Sequence, residues 1–314
     1  MKKIALAALA LLPLTLALAL STSAQARELK SVGITVGSLG NPYFVTLANG
    51  AKAKALQINP NAKVTAVSAD YDLSKQFTQI DNFISAGVDL ILLNATDPVA
   101  IEPAIKKAQK AGIVVVAVDV GAKGVDATVQ TDNEMAGRLA CKYLVDKLGG
   151  KGNVIIQNGP QVTAVIDRVK GCKTVFAAAP GIKVLSDDQD GKGSREGGLN
   201  AMQGYLTRFP KIDGLFTIND PQAIGSDLAA KQLKRKGIVI TSVDGAPDIE
   251  AALKSETSIQ ASSSQDPWAQ AQDAVAIGYD ILNGKRPAKP VVLLTPTLIT
   301  HDNVASYKGW SSQR

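Results

Sequence analysis

The chain is poor in the residues that carry most enzyme chemistry. Its 314 positions hold one histidine, two cysteines and three methionines. A single histidine, His301, excludes an HExxH zinc helix and any His-based metal cluster. Two distant cysteines exclude a CxxC redox motif, and there is neither a Walker loop nor a G-x-S-x-G nucleophile elbow. Aromatics are scarce too, with two tryptophans, six tyrosines and six phenylalanines, so Tyr43 and Phe44 side by side stand out. The net charge of +6 is mild and its basic residues are interspersed with acids, which excludes a nucleic-acid patch. Enzymatic signatures are therefore scarce, and no catalytic residue, cofactor or metal is expected.

What is present begins with an export signal. Lys2 and Lys3 precede an almost wholly apolar stretch from Ile4 to Leu20, and Ala24-Gln25-Ala26 offers a small-residue cleavage site. Pro13 interrupts the apolar stretch, which favours cleavage over a membrane anchor, so residues 1–26 are expected to be a signal peptide. A soluble, periplasmic mature protein follows. In that oxidising compartment Cys141 and Cys172 have two open fates, a disulfide or a pair of buried thiols.

From Val32 onward apolar strand-like runs alternate with helical periodicity. The runs include Leu90–Leu93, Ile113–Val118, Gly214–Ile218 and Ile238–Val243, and uniform apolarity marks parallel strands covered on both faces. The pattern also repeats. GVDLILLNATDP from Gly87 resembles IDGLFTINDP from Ile212, and AGIVVVAVD, ending at Asp119, corresponds to KGIVITSVD, ending at Asp244. A period of about 125 residues suits two similar domains and is too long for a solenoid. The expected fold is therefore α/β, two doubly wound parallel-sheet lobes with a cleft between them.

Open parallel sheets bind ligands outside the carboxyl ends of their strands. Asp119, Asp244, Asn94 and Asn219 all stand at such ends, and Tyr43 and Phe44 follow the first strand. Carboxylates and amides suit adjacent hydroxyls, and aromatic faces suit the C–H surface of a sugar ring. Gly191-Lys192-Gly193-Ser194-Arg195-Glu196-Gly197 precedes a helix, but its glycine spacing departs from the dinucleotide fingerprint.

Several motifs in combination resemble the periplasmic sugar-binding proteins of ABC transporters, specifically the ribose-binding-like group with the type I fold. They are Asn41-Pro42-Tyr43-Phe44, Asn94-Ala95-Thr96-Asp97, Val118-Asp119, Thr131-Asp132-Asn133, Asp167-Arg168-Val169-Lys170-Gly171, Ile218-Asn219-Asp220, Val243-Asp244-Gly245 and Gln265-Asp266-Pro267. The resemblance implies a ligand set of Asn41, Tyr43, Phe44, Asp119, Arg168, Asn219, Asp244 and Gln265. Asp119 and Asp244 would accept from ring hydroxyls, Arg168 and Asn219 would donate, and Tyr43 with Phe44 would sandwich the ring. It also implies three chain crossings, near Thr131-Asp132, Ser262–Gln265 and Leu294–Pro296. The N-terminal lobe would then hold 27–131 plus 265–294, and the C-terminal lobe 132–264 plus 295–314. A monomer binding a monosaccharide or polyol and docking on an ABC permease is the implied function. A sensing role with a chemoreceptor, for a furanose-like signal, is the alternative.

Two departures bear on specificity. Ribose binders of this group carry arginine after the first strand-end aspartate, and here that residue is Val120. They also place an aromatic where this chain has Asp190-Gly191-Lys192-Gly193. Ribose is thereby disfavoured, with Trp268 and Asp190 as residues that could supply part of the difference.

Overall fold

The computed structural model describes residues 26–310. The expected signal peptide lies outside the described residues except for Ala26, as do the last four residues of the chain. The chain opens with β1 (Ser31–Val36), α1 (Pro42–Ile58), β2 (Lys63–Ser68), α2 (Leu73–Ser85), β3 (Leu90–Leu93), α3 (Glu102–Lys110), β4 (Val114–Val118) and β5 (Ala127–Thr131). It continues with α4 (Asn133–Lys147), β6 (Lys151–Gln157), α5 (Thr163–Ala177), β7 (Gly181–Ser186), α6 (Arg195–Arg208), β8 (Gly214–Thr217) and α7 (Asp220–Gln232). It closes with β9 (Val239–Asp244), α8 (Pro247–Leu253), β10 (Ile259–Ser264), α9 (Pro267–Leu282), β11 (Val291–Leu294), β12 (Leu298–Thr300) and a short 3-10 turn, Val304–Ser306.

The strands form two six-stranded sheets of matching order, β11-β5-β4-β3-β1-β2 and β12-β10-β9-β8-β6-β7. Every pairing is parallel except β10 with β12. These are two α/β lobes of the type I periplasmic binding fold. In both, strand order reverses at the first strand, between β1 and β3 and between β6 and β8, so each lobe carries its ligand-facing crevice at the same place.

The apolar runs are where burial is complete. All of Leu90–Leu93 and Val115–Val118 have essentially no exposure, because helices cover both sheet faces. Burying such side chains stabilises by roughly 1.5–3 kcal/mol each.

The chain passes between the lobes at three places. β5 leads through Asp132 into α4, β10 through Gln265 into α9, and β11 through residues 295–297 into β12. These segments are stitched to one another: Asp132 N donates to Leu294 O at 2.9 Å, and Ser264 N to Thr297 O at 2.7 Å. Gln270 Nε2 donates to Thr131 Oγ1 at 2.7 Å.

Four strands, β5, β10, β11 and β12, and the short helix α8 are not among the elements picked out by apolar runs and helical periodicity, although β11 (VVLL) is itself a short apolar run. β10 ends in three serines, buried because their hydroxyls find partners. Ser262 Oγ donates to Asp220 and Ser263 Oγ to the Ala136 carbonyl.

Cys141 on α4 and Cys172 on α5 are joined, sulfur to sulfur at 1.96 Å, with Cα atoms 5.2 Å apart. The helices can meet this closely because glycines face each backbone. A Cβ on Gly137 would fall 2.0 Å from Arg168 O, and one on Gly171 2.1 Å from Glu134 O.

Candidate ligand-binding site

Between the lobes lies a small cavity of about 40 Å³. All eight residues singled out from the sequence, Asn41, Tyr43, Phe44, Asp119, Arg168, Asn219, Asp244 and Gln265, line it. The first lobe contributes the first four, Tyr43 and Phe44 from the first turn of α1, and the second lobe contributes Arg168, Asn219 and Asp244. Gln265 lies on the segment between them.

The two carboxylates occupy corresponding strand ends. Asp119 follows β4 with φ +69° and Asp244 ends β9 with φ +142°, both conformations that non-glycine residues rarely adopt. Backbone strain of this kind persists only where the surroundings over-determine it, and it concentrates at functional sites. Asn94 Nδ2 donates to Asp119 Oδ2 at 2.8 Å, and Asn94 Oδ1 accepts from Gly37 N. Gln265 Nε2 donates to Asp244 Oδ1 at 2.7 Å, and Asp220 N to Oδ2 at 3.3 Å.

Arg168 is the buried cation of the pocket. Its Nε donates to Asn133 Oδ1 and one terminal nitrogen to the Ile218 carbonyl, both at 2.8 Å, and that nitrogen lies 3.6 Å from Asp244 Oδ1. Burial pushes Asp119 and Asp244 above the usual carboxylate range, Asp244 to about 6, and the Arg168 charge opposes the shift in both. Behind Asp244 sits Asp220, also raised by burial and by the Asp244 charge. Ser242, Ser262 and the Ala246 amide all donate to it, at 2.5, 2.7 and 2.8 Å.

The remaining polar residues of the set have structural duties as well. Asn41 caps α1 by accepting from Tyr43 N, with Pro42 starting the helix. Asn219 caps α7 through Gln222 N and donates from Nδ2 to Gly193 O at 2.9 Å. Gln265 Oε1 is buried with no protein partner among the described residues.

The aromatic pair does not form two plates. Tyr43 and Phe44 meet edge to face, centroids 5.3 Å apart and planes at 85°, so they cannot hold a ring between them and instead make one wall. Tyr43 also donates to Gln270 Oε1 at 2.9 Å, and burial, then Asp119, raises its hydroxyl's pKa. Val120 is buried in the core and stands outside the pocket lining. Asp190 is exposed and holds its own loop by accepting from Lys192 N, and the Trp268 backbone packs on Gly50; neither reaches the pocket. His301 contacts the Leu253 carbonyl, remote from the cleft. No cluster of metal-ligating side chains occurs among the described residues.

Asn94, expected at a strand end, supports Asp119, and Asn133 holds Arg168, while Tyr71 and Trp310 are members of the site or its support that the sequence reading does not single out. Tyr71 lines the pocket, and its place in the loop after β2 is the same strand-end signal that singled out Asp119. Trp310 backs the wall, edge-on to Tyr43 at 5.5 Å, and its Nε1 donates to Gln265 O at 3.0 Å. Nothing in the local sequence marks it.

The periplasmic binding protein domain matches residues 32–286. The chain belongs to the periplasmic binding protein family. It falls in the ribose-binding-like group of ABC-transporter sugar-binding proteins. The ribose import binding protein of Bacillus subtilis is 32% identical over 264 residues, 83% of this chain and 84% of that one. A xylitol-binding protein of Mycolicibacterium smegmatis is 32% identical over 281 residues, covering 88% of this chain and 79% of the relative. An ABC-transporter solute-binding protein of Actinobacillus succinogenes, solved with D-allose, is 28% identical with a TM-score of 0.81, covering 88% of this chain and 100% of that one. These relatives are binding proteins and not enzymes. Membership of the family implies a periplasmic location, and no described helix is long and apolar enough to cross a membrane.

Proposed function

We propose that this periplasmic binding protein takes up a monosaccharide, pentose or hexose, or a polyol in the interlobe cavity and delivers it to an ABC permease. The observation that carries this reading is the pairing of Asp119 and Asp244, one strained carboxylate from each lobe, at a single pocket with Arg168. Carboxylates that each have oxygens held by protein donors accept ligand hydroxyls without reorganising, and desolvation strengthens those bonds. The Tyr43 and Phe44 wall and the apolar side chains Val162, Val165 and Ile218 suit the C–H surface of a sugar.

Delivery follows from closure of the lobes about the three connecting segments. Gly121 N, after β4, donates to Thr163 Oγ1 on α5 at 2.8 Å, a bond that exists only while the lobes are together. Export by a cleaved leader and function as a monomer complete the reading, whose ligand chemistry is consistent with the ribose, xylitol and D-allose of its relatives.

A thermal-shift panel of pentoses, hexoses and polyols, followed by calorimetry, tests it. A ligand at a thousandfold excess over its Kd stabilises by roughly 4 kcal/mol. If no sugar or polyol moves the melting temperature, the reading is wrong.

A further inference from the structure

The cleft does not end at Tyr71. Asn41, Tyr71 and Gly193 line the enclosed site, and the same three residues line a second cavity of about 450 Å³ between the lobes. The two spaces are therefore neighbours, with Tyr71 in the wall between them. Volumes of this second size hold small-molecule ligands in other proteins.

The divide is a built feature. Asp70 and Tyr71 both have left-handed backbone, φ +53° and +56°, and across the cleft Lys192 and Gly193 do too, at +55° and +61°. The Tyr71 ring lies so close over Gly37 that a Cβ there would be 2.6 Å from it, and Tyr71 N donates to Gly37 O at 3.2 Å. Opposite, a Cβ on Gly193 would sit 3.5 Å from Asn219 Nδ2 and 3.8 Å from Tyr71 Oη, so the bare glycine leaves open the gap beside the ring.

The walls of the outer cavity state what it suits. Lys192, Arg195 and Asp248 line it from one lobe and Asp70 from the other, while Tyr71, Pro221 and Ile224 supply apolar surface. Asp248 is paired with Arg195 and Asp70 with Lys75, and the third acid of the lining, Asp220, is buried and accepts from Ser242, Ser262 and the Ala246 amide, so the lining is rich in donors and acceptors with little net charge. Such a surface recognises a neutral polyhydroxylated group better than a phosphate or carboxylate.

We propose that the cleft takes a disaccharide or glycoside: one ring in the enclosed pocket, the second unit in the outer cavity, and Tyr71 stacked at the glycosidic junction. This rests on the sugar-binding reading above and extends it to the substituent on the sugar.

The test compares D-glucose, D-galactose and L-arabinose with maltose, lactose, melibiose and the methyl glycosides by calorimetry. At least one glycoside or disaccharide is expected to bind tenfold or more tightly than its parent monosaccharide. Ile224→Trp, which fills the outer cavity alone, should abolish that gain and leave monosaccharide affinity within twofold. Asp248→Trp at the exposed rim repeats the test should Ile224→Trp fold poorly. Monosaccharides that bind while every glycoside and disaccharide binds more weakly would overturn the proposal, as would both tryptophan variants weakening the two ligand sizes equally. If no carbohydrate of either size binds, the sugar-binding reading itself falls, and this one with it.

Discussion

Gln265 Nε2 donates to Asp244 Oδ1 at 2.7 Å, while its own Oε1 is buried without a protein partner. One amide thus orients a carboxylate and keeps an unpaired acceptor buried beside the pocket that Gln265 lines. A buried acceptor left unpaired costs about 1–3 kcal/mol, which a ligand hydroxyl recovers on binding. Gln265→Leu is expected to weaken sugar binding at least tenfold with the melting temperature of the free protein little changed. Calorimetry and a melt read both effects, and unaltered affinity would remove Gln265 from the site.

Asp119 holds its backbone at φ +69°, which asparagine tolerates nearly as well as aspartate. Asp119→Asn therefore tests charge without disturbing conformation. Binding should fall at least tenfold and the fold should survive, as judged by circular dichroism. Full affinity in this variant would show that the carboxylate is not a ligand group.

Asp244 carries a pH signature. Burial raises it from 3.8 in its ordinary state to about 6, so the folded chain holds a proton there that the unfolded chain has lost. Its contribution to stability is full below pH 3.8 and declines as pH rises toward about 6, then stays flat. Ligand affinity moves the other way, since hydroxyls bind the ionised form better. Melting and binding from pH 4 to 8, compared between the native chain and Asp244→Asn, should differ mainly within that window. Superimposable profiles would contradict the assignment.

The bond between Cys141 and Cys172 closes a loop of 31 residues. Its loss should cost roughly 3–4 kcal/mol by the loop-entropy argument. Cys141→Ala with Cys172→Ala is expected to lower the melting temperature clearly, while sugar affinity stays within about threefold because the α4–α5 contact at Gly137 and Gly171 remains.

Gly137→Ala attacks that contact directly, since the new Cβ would meet Arg168 O at 2.0 Å. Overpacking of this kind typically costs 1–3 kcal/mol or more. Because the displaced backbone carries Arg168, affinity and stability should fall together. Loss of stability with unchanged affinity would show that Arg168 is not positioned through α4.

Much of the architecture was legible because parallel strands buried on both faces must be apolar throughout. Leu90–Leu93 and Val114–Val118 read as strands for that reason. β5 (ATVQT) and β10 (IQASSS) did not, because their polar side chains are buried by hydrogen bonding, which leaves no apolar run. The pocket residues at strand ends were visible through position and chemistry together. Trp310 was not, since it comes to Tyr43 from the far end of the chain.

By itself the sequence determined the duplication, the two doubly wound lobes and the strand-end carboxylates, because periodicity and strand position are local properties. Only the tertiary structure decided that Tyr43 and Phe44 form a single wall, that Val120 turns into the core, and that Tyr71 and Trp310 join the site. Those outcomes depend on ring angles and on contacts between residues far apart in the chain. Spacing along a sequence carries neither.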